Sequence, residues 1–283
     1  KWGSLLPLKT NDLQMKPAEK IDIQKFHERI AEELNKLDFK LEPVELYEPI
    51  SYLLSLGGKR MRPVLLMIAC DMFDGNLDDA LAPALAIEIF HNFTLMHDDI
   101  MDKALKRRNH PTVHTKWNEN TAILSGDVML VCAYQQLCKG EKEYLPQLLS
   151  LFNKTAIEVC EGQQFDMNYE TRENVLIKDY TRMIELKTAV LLGCSLKTGA
   201  IIAGASENDQ NNLYEFGRNI GIAFQLQDDI LDVYGDSEEF GKQIGGDIVA
   251  NKKTYLFLKA MELANAEQQN TLLKYFSSKT FDS

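Results

Sequence analysis

The chain has 283 residues, of which 45% are hydrophobic and 26% are charged, a balance typical of globular proteins. Its net charge of −11 at pH 7 argues against a nucleic-acid-binding protein, because such a protein needs a basic face. The longest apolar runs are far shorter than the roughly 20 residues of a membrane helix, so neither a membrane span nor a signal peptide is predicted. The five cysteines include no Cys-x-x-Cys pair and predict apolar thiols in a reducing cytoplasm.

Almost every long segment repeats its apolar residues with the period of an α-helix. The sequence predicts helices over residues 20–38, 43–56, 62–74, 79–104, 118–139, 142–169, 173–204, 207–235 and 254–276. Alternating strand patterns and Asn-Gly hairpin signals are absent, and neither a repeat nor a linker divides the chain. We therefore predict one all-α domain over residues 1–283. The first residue is Lys and the last segment lacks a helix-stop signal, so we expect residues to be missing at both ends.

The first functional candidate in chain order is a glycine turn that leads into a helix. Lys59 follows Gly57 and Gly58 directly, and Arg62 comes three residues later. The next residue is Pro63, which suits the first turn of a helix. The free amides of a helix start, with cations nearby, favour a phosphate-binding turn. A glycine cap with solvated basic residues is the structural alternative.

The first acidic cluster (Asp98, Asp99, Asp102) follows a strongly apolar run. Asp98 and Asp102 are about 40° apart around a helix, so their carboxylates project from one face, which His91 and Thr94 share. Like charges at this spacing repel each other, and beside apolar surface they favour binding of a hard cation such as Mg²⁺. A solvated acidic helix end is the alternative.

Further candidate basic residues lie in three later segments of the chain. Arg107 and Arg108 lie five and six residues after the last Asp of the first acidic cluster, and Arg side chains match phosphate oxygens in bidentate fashion. Lys187 interrupts an apolar helix, and its ammonium group either reaches solvent or serves a cavity. Lys242 and Lys252 lie in and just after a glycine-containing loop, which predicts either a mobile lid over a phosphate or a plain surface loop.

The second acidic cluster (Asp228, Asp229, Asp232) repeats the spacing of the first, 130 residues later and again within an apolar helix. Gln225 lies about 60° from Asp228 around the helix and can share its face. Two such clusters in apolar helices are hard to explain as solvated faces. They predict two helices that face each other across a cavity and jointly hold metal ions bound to a diphosphate.

Residues 45–260 resemble the trans-isoprenyl diphosphate synthases, the family of farnesyl and geranylgeranyl diphosphate synthases. The resemblance rests on GGKRMRP, on DDIMD with an Arg pair five residues after its last Asp, on LKTA, on FQLQDDILD and on GK…GGD…NKKT. It implies a single polyprenyl synthetase domain, a bundle of mostly antiparallel helices around a deep central cavity that forms a homodimer. It also implies head-to-tail condensation of isopentenyl diphosphate with an allylic diphosphate, assisted by three Mg²⁺ ions. One departure from the family is Asn109, where many members have Gly.

Carried over by position, the resemblance implies three groups of binding residues. Mg²⁺ would be bound by Asp98, Asp102 and Asp228, supported by Asp99, Asp229 and Asp232. The allylic diphosphate would be bound by Arg107, Lys187, Thr188, Gln225, Lys242 and Lys252, of which Arg107, Lys187, Thr188 and Gln225 would be catalytic. Isopentenyl diphosphate would be bound by Lys59, Arg62, His91 and Arg108.

Two residues just before the first acidic cluster concern product length. In the family, bulk four and five residues before the first Asp, here Thr94 and Phe93, limits how far the product grows. The helical wheel puts Thr94 on the face of Asp98 but Phe93 about 140° away, as expected of a packing residue. Following the resemblance, we predict a C15 or C20 product.

Several alternatives to this prediction stay open. A longer-chain polyprenyl synthase would carry a small residue at the position of Phe93. A terpene cyclase would have an Asn/Ser/Glu metal motif in place of the second acidic cluster. A non-catalytic subunit of a heteromeric synthase would lose aspartates, whereas all six are present here.

Overall fold

The computed structural model describes residues 22–172, 174–235 and 252–276, and it confirms the predicted all-α class. The helices are α1 (Ile23–Asn35), α2 (Val44–Ser55), α3 (Met61–Asp71), α4 (Leu77–Met101), α5 (Val113–Lys116), α6 (Glu119–Leu137), α7 (Leu145–Thr171), α8 (Ile177–Ile184), α9 (Val190–Ile202), α10 (Glu207–Tyr234), α11 (Tyr255–Leu263) and α12 (Ala266–Phe276). A π-helical segment, Glu185–Ala189, joins α8 to α9. Within these described ranges, no helix is long and apolar enough to cross a membrane.

The centre of the bundle is formed by α4 and α9, which are apolar around most of their circumference, as buried helices are. On α4, Ile87, Phe90 and Met96 are each 1% exposed. Burying a side chain of this size stabilises a fold by about 1.5–3 kcal/mol. The apolar run that ends in the first acidic cluster is therefore anchored deep in the core, and this anchoring fixes the position of its last turn.

A short hairpin follows α4, which the sequence analysis did not predict. Strand β1 (Lys106–Arg107) pairs antiparallel with β2 (His110–Pro111). The two residues between them, Arg108 and Asn109, have φ angles of 52° and 63°, as in the type I′ turns that usually contain Gly. Asn tolerates this left-handed conformation, so the turn forms without glycine, and it directs Arg107 back toward the end of α4.

The other predicted helices occur in the predicted order, with three further differences. The short helix α5 was not predicted, and the single helix predicted over 173–204 is divided into α8, the π-helical segment and α9. The single helix predicted over 254–276 is two helices, because α11 ends at Leu263 and α12 begins at Ala266. Asn265 and Gln268 each bond the other's backbone amide, both at 3.0 Å. This reciprocal capping starts a new helix. The predicted loop with Lys242 lies outside the described residues.

Candidate active site

The first acidic cluster ends α4, and its middle residue is bound by an arginine. Asp99 is 3% exposed. Its Oδ2 accepts a hydrogen bond of 2.8 Å from Nε of Arg107, and its Oδ1 forms an ion pair with Nη2 of the same guanidinium at 2.8 Å. The same Nη2 lies 3.7 Å from Oδ2 of Asp98. The hairpin therefore places an arginine fork over two carboxylates of the cluster, a geometry that gives strong, oriented pairing.

Lys187 reaches the first acidic cluster from the π-helical segment. Its Nζ lies 3.1 Å from Oδ1 of Asp98 and 2.7 Å from Oδ2 of Asp166 on α7. A Cβ atom at Gly162 would lie 2.2 Å from the backbone nitrogen of Lys187, so only glycine allows α7 to approach this closely. Burial works to lower the pKa of Lys187, but Asp98 and Asp166 outweigh it and raise that pKa, so the ammonium group stays charged.

The chain segment just before α11 supplies two further lysines. Nζ of Lys252 lies 3.5 Å from Oδ2 of Asp102. Lys253 donates instead to the backbone carbonyls of Tyr169 and Glu170, at 2.7 and 3.3 Å. Since cations favour the carboxyl end of a helix, Lys253 fastens this segment to the end of α7, while Lys252 faces the first acidic cluster.

The second acidic cluster lies on α10, where Asp229 and Asp232 are buried and Asp228 is half-buried. Oδ2 of Asp229 accepts from the hydroxyl of Tyr180 at 2.5 Å and from the backbone N–H of Tyr255 at 3.2 Å. One turn earlier on α10, Oε1 of Gln225 accepts a hydrogen bond of 3.3 Å from the Thr188 hydroxyl. A cavity of about 90 Å³ is lined by Asp166, Lys187, Thr188, Gln225, Asp229 and Lys252, among others.

The surroundings of both clusters disfavour the charged form of their carboxylates. Burial raises the pKa of Asp102, and the charge of Asp98 raises it further. Burial also raises the pKa of Asp99 and of Asp229, in spite of the hydrogen bonds that each accepts. Among the described residues, Oδ1 of Asp98 is buried without a hydrogen bond, and the Lys187 ammonium forms an ion pair with it at 3.1 Å. A bound cation would favour the charged form of these carboxylates.

This donor set fits a divalent ion that is shared with a substrate. Among the described residues, no group of three His, Cys, Asp or Glu side chains forms a metal site by itself. Magnesium, however, usually takes one or two carboxylates and completes its shell with water and phosphate oxygens. Asp98 and Asp102 provide such a pair, so the predicted metal ligands remain suited to that role.

A separate cationic pocket (Arg62, His91, Arg108) lies between α3, α4 and the hairpin. Nη1 of Arg62 is 3.2 Å from Nε2 of His91. Burial lowers the pKa of His91 well below its usual value, and the charges of Arg62 and Arg108 lower it further, so its ring is neutral at pH 7. The Nε of Arg62 is buried and makes no hydrogen bond. The buried acid Glu88 compensates part of the charge of Arg62 and Arg108, and the donor that stays without a hydrogen bond is suited to bind an anion.

The glycine turn forms one wall of this pocket. Gly58 has a φ of +139°, and a Cβ atom there would lie 2.7 Å from Nη2 of Arg108. Lys59, the next residue, is exposed. The structure thus brings three of the four residues predicted to bind isopentenyl diphosphate together and leaves Lys59 at the rim.

Phe93 and Thr94 lie one turn before the first acidic cluster and outside the lining of the cavity described above. Phe93 is 9% exposed, and its ring packs 5.6 Å from Phe90 and 4.8 Å from His97, between ring centroids. The Thr94 hydroxyl donates to the His91 carbonyl at 2.7 Å. Phe93 therefore packs as the helical wheel predicts, and its effect on product length stays a prediction.

Three residues with direct contacts in these sites were missed from the sequence. Asp166 pairs with Lys187, Tyr180 binds Asp229, and Glu88 is a buried acid whose raised pKa is moderated by Arg60, Arg62 and Arg108. For Glu88 the sequence offers one signal, a charged residue among the apolar residues of a helix. Asp166 and Tyr180 gave none, because their partners are distant in sequence.

Comparison with known proteins gives consistent matches. The sequence profile of the family described as "Polyprenyl synthetase" matches residues 43–283. The chain is 44% identical to a geranylgeranyl diphosphate synthase of Methanosarcina mazei, over 78% of this chain and 68% of that protein. It is 37% identical to a short chain isoprenyl diphosphate synthase of Methanothermobacter thermautotrophicus, over 90% of this chain and 79% of that protein. A crystal structure of a geranylgeranyl pyrophosphate synthase matches with a TM-score of 0.87 and 47% identity, over 92% of this chain and 80% of that one.

The all-α bundle and its paired acidic clusters define an enzyme class, the helical prenyltransferases. The profile match covers most of the chain, and the relatives agree with it in both sequence and fold. This chain belongs to the polyprenyl synthetase family.

Proposed function

We propose that the enzyme condenses isopentenyl diphosphate head to tail with an allylic diphosphate and releases a C20 prenyl diphosphate. The observation that carries this proposal is that the basic residues form two separate groups. Lys187 and Lys252 face the first acidic cluster, whereas Arg62 and His91 form the separate cationic pocket. Two such groups suit a reaction between two diphosphates, and the relatives named geranylgeranyl diphosphate synthase support the C20 product.

The allylic substrate would place its diphosphate between the two acidic clusters. Mg²⁺, as three ions, would be held by Asp98, Asp102 and Asp228, with Asp99, Asp229 and Asp232 in support, and would stabilise the negative charge of the leaving diphosphate. Lys187, Lys252 and Arg107 add fixed cations on the protein side of the same group. Lys242, which lies outside the described residues, would join them.

The reaction then follows from the positions of the two sites. The allylic C–O bond breaks, and the diphosphate leaves with the bonding electrons. The oxygens of Thr188 and Gln225, which are joined by a 3.3 Å hydrogen bond, face the cavity and stabilise the cation. The double bond of isopentenyl diphosphate, whose diphosphate is held by Lys59, Arg62, His91 and Arg108, attacks it. The new carbon–carbon bond forms, and a proton passes to the released diphosphate. Apolar helices exclude the water that would quench the cation.

Product length is the part of this proposal that depends on Phe93. We expect Phe93→Ala to yield products longer than C20, because it removes the ring one turn before Asp98 that limits growth of the chain. The measurement is the chain length of labelled products by reversed-phase chromatography. Phe90→Ala, which truncates the neighbouring core ring, is the control: it should destabilise the fold and leave product length unchanged. An unchanged product distribution in Phe93→Ala would reject Phe93 as the limiting residue.

We further propose a cytoplasmic homodimer. The support is an exposed apolar face on α6, where Ile123, Leu124 and Val131 are 42%, 58% and 57% exposed, together with Ile157 on α7 at 61%. Leu124 and Val131 share one face of α6, and exposed apolar side chains on one helix face are typical of an interface between subunits. Sedimentation equilibrium should give twice the monomer mass, and Leu124→Glu should shift it toward the monomer.

The experiment that tests the proposed activity is a product assay with isopentenyl diphosphate and, separately, C5, C10 and C15 allylic primers. We expect each primer to be extended to C20 in the presence of Mg²⁺ and none to be extended after chelation. Cyclic hydrocarbons, or products much longer than C20, would point to one of the alternative activities. Absence of any product with all three primers would reject the proposal.

A further inference from the structure

Tyr180 is a buried tyrosine on α8 that carries no assigned role in the reaction. It is 3% exposed, and its hydroxyl donates to Oδ2 of Asp229 at 2.5 Å. The same oxygen accepts the backbone N–H of Tyr255 at 3.2 Å. One carboxylate oxygen in the second acidic cluster therefore joins α8, α10 and α11.

This junction fixes the start of α11. Tyr255 is its first residue, and the preceding Thr254 caps it by accepting from the Phe257 amide at 3.5 Å. The amides at a helix start have no partner within the helix, and a carboxylate stabilises them. The hydroxyl of Tyr180 in turn orients that carboxylate, because it donates to the same oxygen.

Lys252 lies three residues before this anchored amide. Lys253, between them, donates to the carbonyls at the end of α7 at 2.7 and 3.3 Å. The segment is thus fastened on α7 by Lys253 and on α10 by Tyr255. From this support, Lys252 extends to within 3.5 Å of Oδ2 of Asp102. The two acidic clusters are connected through this short segment.

We propose that Tyr180 is a positioning residue for the reaction, which orients Asp229 so that the start of α11 holds Lys252 over the first acidic cluster. The inference rests on the proposed function, since it takes Lys252 as a contact of the allylic diphosphate. Tyr180 lines the same cavity as Asp229, and its hydroxyl is directed at the Asp229 carboxylate. Its effect passes through one carboxylate and one backbone amide.

The test is Tyr180→Phe, which removes only the hydroxyl. We expect kcat/KM for the allylic substrate to fall about tenfold, in line with loss of one hydrogen bond to a charged group, while the KM for isopentenyl diphosphate is unchanged. In a Lys252→Met background the same substitution should cause no further loss, because both act on one interaction. Additive losses in the double variant would overturn the inference, as would wild-type kinetics of Tyr180→Phe.

A readout independent of turnover is the hydrogen exchange of the Tyr255 amide in the substrate-free enzyme. Tyr180→Phe should speed this exchange, because the Asp229 carboxylate, which accepts from the Tyr255 amide, would lose its second donor. The control is Tyr134→Phe, which removes a hydroxyl bonded to Asn153 at 2.6 Å between α6 and α7. Tyr134→Phe should lower the free energy of unfolding about as much as Tyr180→Phe does. It should change neither the exchange of the Tyr255 amide nor kcat/KM for the allylic substrate. Unchanged exchange in Tyr180→Phe would also overturn the inference.

The outcome is separable from a failure of the proposed function. If the wild-type enzyme forms C20 product and Lys252→Met impairs it, unaltered behaviour of Tyr180→Phe removes the positioning inference alone. If the wild-type enzyme forms no prenyl diphosphate, the proposed function fails. The exchange measurement then still reports whether Tyr180 anchors α11.

Discussion

The two acidic clusters have the same spacing in sequence but different surroundings in the fold. In the first, Asp99 is bound by both arms of a charged group, the Arg107 guanidinium. In the second, the equivalent Asp229 is bound by neutral donors, the Tyr180 hydroxyl and the Tyr255 amide. Asp99 is therefore coupled to a cation, and Asp229 is coupled to the helical framework. The middle residues of two equally spaced motifs thus serve charge pairing in one cluster and alignment of helices in the other.

The largest expected effect comes from the first cluster itself. Asp98→Ala removes the carboxylate that faces both Lys187 and Arg107. We expect turnover to fall by about 10³-fold or more, the scale of losing one group that stabilises transition-state charge, with the fold retained. Steady-state kinetics and circular dichroism measure the two quantities. Asp127→Ala, which changes an exposed aspartate on α6, should behave as wild type, and near-normal turnover of Asp98→Ala would contradict the metal assignment.

Replacing the charged partner tests the comparison directly. Arg107→Lys keeps the charge but cannot form the bidentate pair with Asp99. We expect kcat/KM for the allylic substrate to fall about 100-fold, since a charge-assisted hydrogen bond and a close ion pair are both disrupted. This exceeds the loss expected for Tyr180→Phe. If both variants lose the same amount, the proposed difference between a cation-coupled Asp99 and a framework-coupled Asp229 is wrong.

The cationic pocket should respond separately from both clusters. Gly58→Ala would place a Cβ atom 2.7 Å from the Arg108 guanidinium. We expect the KM for isopentenyl diphosphate to rise about tenfold, because one phosphate contact is displaced, and the KM for the allylic substrate to stay unchanged. Gly57→Ala is the matched control, since Gly57 also has a positive φ but nothing within 4 Å of its Cβ position. Equal effects at both glycines would show that backbone strain alone is responsible.

The smallest expected effect is on the pH dependence of stability. Burial and the neighbouring arginines lower the folded-state pKa of His91, so the unfolded state binds more protons. Its contribution is therefore complete above about pH 6.5 and declines as the pH falls, by at most about 1.4 kcal/mol per unit. The raised carboxylate pKa values act in the opposite direction, so the measurement must compare wild type with His91→Gln. Urea unfolding at pH 7.5 and 5.5 should show a smaller acid loss in the variant, and equal losses would contradict this assignment.

Much of the site could be predicted because its signals are local. Spacing along one helix was enough to place Asp98 and Asp102 on one face, and the glycine turn led directly to Arg62. Contacts between distant segments were not predictable: Asp166 and Tyr180 lie 21 and 49 residues from their partners. The hairpin was missed for a different reason, since Asn109 takes a left-handed conformation that a search for Asn-Gly does not find.

The central claim is that both acidic clusters bind one diphosphate through Mg²⁺. The most direct test is calorimetric titration with an allylic thiodiphosphate, which resists ionisation, with and without Mg²⁺. We predict tight binding of the thiodiphosphate only with Mg²⁺. Asp98→Asn and Asp228→Asn should each abolish this tight binding, and the double variant should have the same residual affinity as either single variant. Binding that does not require Mg²⁺, or that survives in Asp228→Asn, would contradict a site shared between the two clusters.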